Sequence, residues 1–245
     1  MAGCTHGDEY NKPGNLMLGL LARDQIRMLD GHKKLLVGQS PVLDPYLHST
    51  VSSVAHSTDG QYLFSGSYDH TVKTWVGKNG DFIASAEVGS EVLRLAVSPL
   101  HKGVLAAGLM DGNVNILGID DGGGFLTRYL LATSKKKHSA VSVGWHGRIR
   151  PDWLVVGYDN GLKSGGLVIF DARAMSAVGN IMPRANRQFD IFIHEQGRFV
   201  TGGVVNRKTT GVRTQVHVWD FAELQPVPAV RFDSPQEDIN VVTMS

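Results

Sequence analysis

The chain has 245 residues, of which 19% are charged, with 29 glycines, a single cysteine and a formal net charge of +1. That length supports one all-β core, the glycine content suits a turn-dense chain rather than a disordered one, and a lone Cys4 excludes an internal disulfide framework and points to a reducing compartment. The sequence has no apolar run of membrane-spanning length and no basic segment leading into an apolar core at its start, so an intracellular protein, cytoplasmic or nuclear, is expected.

Residues 1–14 are polar and punctuated by glycine and read as a loose leader; Cys4 and His6 are metal-ligand types, but two are too few for a site. Asn15–Ala22 and Gln25–Asp30 then read as two strands around an Arg23-Asp24 turn, followed by an outer strand at Leu35–Gln39. The next unit is the clearest. Val51–His56, Tyr62–Ser67, Thr71–Val76 and Phe82–Val88 are short runs rich in Val, Thr and aromatics. They are separated by Thr58-Asp59-Gly60, Tyr68-Asp69-His70 and Lys78-Asn79-Gly80, whose Asp, Asn and Gly residues favour tight turns. Four antiparallel strands within about 40 residues make one blade of a propeller.

The segment DGQYLFSGSYDHTVKTW, residues 59–75, resembles the core of the WD40 repeat. The resemblance implies an all-β WD40 propeller over residues 15–245. It also implies a buried hydrogen-bonded group made by a His before the first strand, a Ser on the second, an Asp in the next turn and a Trp on the third. The matching residues are His48, Ser65, Asp69 and Trp75, with His138, Trp219 and Asp220 in corresponding places of later repeats. His and Trp donate and the carboxylate accepts, so the role implied is structural.

About five blades follow from repetition of this plan: an incomplete one at 15–45, then 46–88, 89–133, 134–182 and 183–233, with a lone first strand in 234–245. Leu29, Trp75, Leu117, Phe170 and Trp219 hold the tryptophan place, spaced by 46, 42, 53 and 49 residues. In the second blade Phe125–Ala132 is the outer strand; the third has Trp153–Tyr158 and Leu167–Asp171 as its middle strands. The fourth reads as Phe189–His194, Arg198–Val204, Gln215–Asp220 and Ala229–Phe232. Two arrangements accommodate the ends: Ile239–Met244 pairs with the N-terminal strands to close five blades, or the chain belongs to a longer, seven-bladed ring. The second is preferred.

The sequence carries no GxSxG, HExxH or CxxC motif, and no cofactor is expected. A central-channel enzyme remains an alternative, with Asp190 the one carboxylate on the innermost strands. The leading expectation is a non-enzymatic scaffold that binds other proteins through its loops. Charge sharpens it: residues 134–213 hold 13 Lys and Arg against 5 Asp and Glu. In this family the loops before first strands and those between second and third strands share the top face. Lys135, Lys136, Lys137, Arg184 and Arg187 fall in the former, and Lys163, Arg207, Lys208 and Arg213 in the latter, at the lengthened loops Asn160–Gly166 and Asn206–Thr214. An acidic peptide is the expected ligand, with nucleic acid a weaker alternative for want of interleaved aromatics. Phe170-Asp171-Ala172-Arg173 resembles the WDxR box by which some WD-repeat proteins dock on the adaptor of a cullin-4-type ubiquitin ligase, with Phe in the place of Trp. An ordinary surface ion pair is the competing reading of Arg173.

Overall fold

The structure, a computed structural model, describes residues 12–35, 46–131, 138–147, 150–159, 166–181, 185–193, 198–207, 211–220 and 230–234. Every element of these is a strand apart from a 3-10 turn at Leu21–Arg23. A hairpin of β1 (Met17–Leu20) and β2 (Gln25–Met28) comes first, then a second hairpin of β3 (Lys33–Leu35) and β4 (Tyr46–His48). Four four-stranded antiparallel sheets follow, each a meander in sequence order. The first blade is β5 (Val51–His56), β6 (Tyr62–Ser67), β7 (Thr71–Val76) and β8 (Phe82–Glu87); the second is β9 (Val92–Val97), β10 (Val104–Leu109), β11 (Val114–Ile119) and β12 (Phe125–Leu131). The third comprises β13 (Ser139–Trp145), β14 (Trp153–Asp159), β15 (Gly166–Asp171) and β16 (Ser176–Ile181). The fourth comprises β17 (Ala185–Ile193), β18 (Arg198–Arg207), β19 (Gly211–Asp220) and β20 (Val230–Ser234).

The first blade shows why these residues turn where they do. Asp59 Oδ1 accepts from Ser57 Oγ at 2.7 Å and from the Gln61 amide at 3.0 Å, closing the β5–β6 turn. The Gly77 amide donates to the Gln61 carbonyl at 2.7 Å, which holds the β7–β8 turn beside it. These turns define the bottom face. At the other end, the top, the Val88 amide donates to the His70 carbonyl at 2.8 Å.

Middle strands are buried on both sides, and outer strands are largely exposed. The reason is that the core lies between sheets, not on one face of each. Phe64 and Val72 of the first blade pack with Val92, Leu95, Leu105 and Leu117 of the second. Adjacent residues of the second blade point the other way, so Ala106, Val114 and Ile116 meet Trp145, Leu154, Val156 and Phe170 of the third. Val155, Leu167 and Ile169 then meet Trp219 of the fourth. Full burial of each such Val, Leu or Ile contributes about 1.5–3 kcal/mol.

Two glycines set how closely blades approach. A Cβ at Gly66 would stand 2.4 Å from Val92 Cγ1, and one at Gly108 would stand 2.6 Å from Val143 Cγ2 and 2.7 Å from the Ala140 carbonyl oxygen. Both lie on the second strand of a blade, facing the inner strand of the next. Inner strands β5, β9, β13 and β17 touch in succession, whereas the outer strands β8 and β12 scarcely meet.

Several boundaries differ from the sequence reading. Lys33–Leu35 does not extend the β1–β2 hairpin as its outer strand; it pairs with Tyr46–His48, Lys33 opposite His48. Residues 36–39, the rest of that expected strand, lie outside the described residues, as does Ile239–Met244. The fourth blade is longer than expected. Its β18–β19 ladder runs on to Arg207 opposite Gly211, so most of the expected Asn206–Thr214 loop is hairpin. Val204, Val205, Val212 and Thr214 are β-branched, which favours continued pairing.

Candidate functional site

The most connected polar cluster lies in the first blade. Trp75 Nε1 donates to Ser65 Oγ at 2.9 Å, Ser65 Oγ is 2.7 Å from His32 Nε2, and His32 Nδ1 is 2.9 Å from Asp69 Oδ2. The carboxylate only accepts, so Nδ1 carries a proton and donates to Asp69. Thr71 completes the cluster, its amide donating to Asp69 Oδ1 at 2.9 Å and its hydroxyl at 2.7 Å. Burial works to raise the Asp69 pKa, but the bond and charge of His32, followed by Thr71, outweigh it and hold the carboxyl below its ordinary value of 3.8.

The histidine of this group is therefore His32, not His48. The expectation for His48 assumed a short link into β5. In the structure the link is the β3–β4 hairpin, and the Ser49 amide donates to the His32 carbonyl at 2.9 Å, which brings the start of that hairpin beside its end. His32 stands over the β6–β7 turn, while His48 is buried at the end of β4. Gly31 is the local signal that sequence reasoning passed over. A Cβ there would stand 2.5 Å from the Trp75 ring, so only glycine lets the His32 backbone lie against that indole.

The other blades build the same place differently. In the fourth, Trp219 Nε1 donates to Thr201 Oγ1 at 3.1 Å, and Thr201 lies two residues beyond the cross-strand neighbour of Trp219, as Ser65 does for Trp75. The side chain of Asp220 lies outside the described residues. In the third blade Phe170 pairs with Leu154 and Val156 takes the serine place, so those two positions carry neither an indole N–H nor a hydroxyl. His138 is half-buried just before β13. In the second blade Leu117, Leu105 and Ala107 are likewise apolar. His146 follows β13, buried, with its ring edge-on to Trp153 at 6.3 Å. Burial lowers its pKa below 6.5, its own backbone bond opposes that shift, and Arg150 adds to it.

Phe170 is 2% exposed and anchors the box-like tetrapeptide in the core. Asp171 Oδ1 accepts the Arg173 amide at 2.9 Å and the Ala174 amide at 2.8 Å, so this carboxylate caps the β15–β16 turn on the bottom face. Arg173 is exposed at that turn. Among the basic residues singled out by charge, Lys135, Lys136, Lys137, Lys163, Arg184 and Lys208 lie outside the described residues. Arg187, Arg207 and Arg213 are on strands rather than in loops, because β17 begins at Ala185 and the β18–β19 hairpin is extended. Register brings these three to one end of the fourth blade: Arg187 opposite Val204, Arg213 opposite Val205 and Arg207 opposite Gly211. Asp190 is on β17 opposite Gly202. No group of three or more potential metal ligands occurs among the described residues. No described helix is long and apolar enough to cross a membrane.

Radially packed four-stranded meanders, with a Trp-to-hydroxyl bond repeated in the first and fourth, define a β-propeller protein. Residues 40–75 match the model of the WD domain, G-beta repeat family, so this stretch is similar to a WD40 repeat. It is similar to Rik1-associated factor 1 of Schizosaccharomyces pombe, 26% identical across 96% of this chain and 36% of that protein. It is also similar to eukaryotic translation initiation factor 3 subunit I of Candida albicans, 26% identical across 64% of this chain and 46% of that one. The chain therefore spans between a third and a half of the length of these curated relatives. Among solved structures, the Dos1 propeller superposes with a TM-score of 0.79 at 23% identity, over 98% of this chain and 59% of that one. The U3-55K structure gives a TM-score of 0.58 at 14% identity, over 82% and 54% of the two chains.

Proposed function

We propose that the chain is a non-enzymatic scaffold that takes protein partners on its loop faces, and that the Phe170–Arg173 turn docks the adaptor of a cullin-4-type ubiquitin ligase. The scaffold reading is supported by where the polar chemistry of the first blade goes: His32, Ser65, Asp69 and Trp75 bond one another inside the blade. Relatives whose names place them with partners, a Rik1-associated factor and a subunit of an initiation factor, support it too.

The observation that carries the docking reading is the Asp171 cap. It fixes the turn so that a buried Phe170 and an exposed Arg173 stand on either side of one rigid corner. The cap holds the Arg173 backbone, and the exposed guanidinium it carries can make a charge-assisted bond to an acceptor on a partner. The test is co-precipitation of purified adaptor with the chain and with Arg173→Glu, both checked for unchanged melting. Capture should fall by roughly tenfold or more in the variant. Equal capture by both, or none by the parent, refutes the docking.

A second reading is favoured by the charge asymmetry of residues 134–213 and by the convergence of Arg187, Arg207 and Arg213 at one end of the fourth blade. It assigns the basic top face an acidic peptide as ligand. Affinity should then fall with salt, more shallowly than for a nucleic acid. Charge reversal at Lys135–Lys137 should weaken it.

A further inference from the structure

On the bottom face, a cleft of about 190 Å³ opens between the first and second blades. Its walls are Phe64, Val97, Val104 and Ile119, with Tyr62 along one side. A space of roughly 150 Å³ admits a benzene ring, so this one has room for a single large apolar side chain. The rim is acidic on balance, with Asp59, Asp120 and Asp121 against Lys102. Asp120 is committed to the Gly122 and Gly124 amides at 2.8 and 2.7 Å. Asp59 is kept ionised by the Ser57 hydroxyl and then the Gln61 amide. Lys102 Nζ hangs between the remaining carboxylates, 3.6 Å from Asp59 Oδ2 and 3.6 Å from Asp121 Oδ1, and Asp121 is otherwise open to solvent.

The cleft is also preformed. The Tyr62 hydroxyl donates to the Asp121 carbonyl, tying the first blade to the β11–β12 turn of the second. A Cβ on Gly123 would stand 2.9 Å from both Tyr62 and Ile83, so that turn lies flat against its neighbour. A rigid apolar slot with a small charged rim has the form of a side-chain pocket, and little ordering is needed to fill it.

We propose that this cleft binds a basic peptide segment, whose apolar side chain enters between Phe64, Val97, Val104 and Ile119 while a neighbouring Arg meets Asp59 and Asp121 and displaces Lys102. Charge complementarity chooses the occupant, because an acidic segment would bring like charge against the rim. The inference rests on the scaffold reading, names the chemistry of one of its partners, and does not depend on Arg173.

The probe is a fluorescein-labelled peptide, Gly-Ser-Leu-Arg-Arg-Ser-Gly, followed by anisotropy with the full chain. Binding should saturate, and Asp121→Lys should weaken it about tenfold with melting unchanged, since that side chain lies at the surface. Replacing the probe's Leu by Ser should weaken it by about as much. Lys102→Glu, also at an exposed position, should tighten binding. Affinity indifferent to Asp121→Lys, to the Leu or to Lys102→Glu overturns the proposal, as does failure to saturate by about 1 mM. Arg173→Glu should leave probe binding intact, so a chain that binds the probe but captures no adaptor, or captures it equally with and without Arg173, refutes the docking alone. Adaptor capture without probe binding refutes the cleft alone.

Discussion

Removing the carboxylate of Asp69 tests the structural assignment most directly. In Asp69→Ala the His32 Nδ1–H loses the carboxylate at 2.9 Å and keeps only the Thr71 hydroxyl at 3.3 Å, while the Thr71 amide loses its partner at 2.9 Å. The His32 side chain has no solvent exposure, so water does not replace what is lost. Each buried donor left unpaired costs about 1–3 kcal/mol, whereas the Thr71 hydroxyl can rotate to another acceptor. The sum is about 3 kcal/mol. For a chain of this size each kcal/mol lowers Tm by about 2–4 °C, so a fall of roughly 6–12 °C is expected. Thermal melting and urea unfolding followed by circular dichroism would read it, with the midpoint moving and the slope unchanged. A double-mutant cycle identifies the histidine: Asp69→Ala should couple to His32→Ala by about 1 kcal/mol or more and be additive with His48→Ala. A Tm within about 2 °C of the parent, or coupling to His48 instead, would refute the assignment.

Two further outcomes concern pH and packing. The folded Asp69 pKa is depressed, so its contribution is present above about pH 4 and is lost as pH falls through the folded value. His146 is also depressed, mainly by burial, so the unfolded chain takes up a proton first as pH falls below 6.5. Stability should decline from there until the folded pKa is reached, and His146→Gln should flatten Tm against pH between about 7.5 and 5. Parallel profiles for the two proteins would count against this. Gly108→Val should destabilise by about 1–3 kcal/mol or more, because the new side chain meets Val143 and the Ala140 carbonyl, and backbone yields less than a flexible side chain. An unchanged urea midpoint would show that the blades are not so closely set.

The first blade was legible because its signals are local. Alternation, Asp-Gly and Asn-Gly turns and the 59–75 motif all lie within one continuous stretch, and its strands begin where the runs of Val, Thr and aromatics begin. The histidine was misassigned because its partner is reached across a hairpin that no spacing rule anticipates. Counting back from Val51 finds His48, while space finds His32. The third blade differs in another way: a histidine before the first strand does not show whether the tryptophan and serine places are kept, and here they hold Phe170 and Val156. The extended fourth blade was hidden because Arg and Asn at 206–207 and Lys-Thr-Thr-Gly at 208–211 look like loop. Their neighbours Val204, Val205 and Val212 carry the pairing onward. The cleft beside Tyr62 had no sequence signature at all, since its walls come from four strands and turns of two blades.

The close approach at Gly66 and Gly108 has a consequence beyond either contact. Each stands where one blade bears on the inner strand of the next, while the outer strands fan apart, so neighbouring sheets are hinged like pages at a spine. An added methyl at the spine acts as a shim: it opens the angle between two pages and swings every page beyond. Angular errors of that kind accumulate along a series of blades, whereas errors at the rim stay where they arise. Curvature here is written in atoms that are missing, and the number of blades that fit a circle depends on keeping them so.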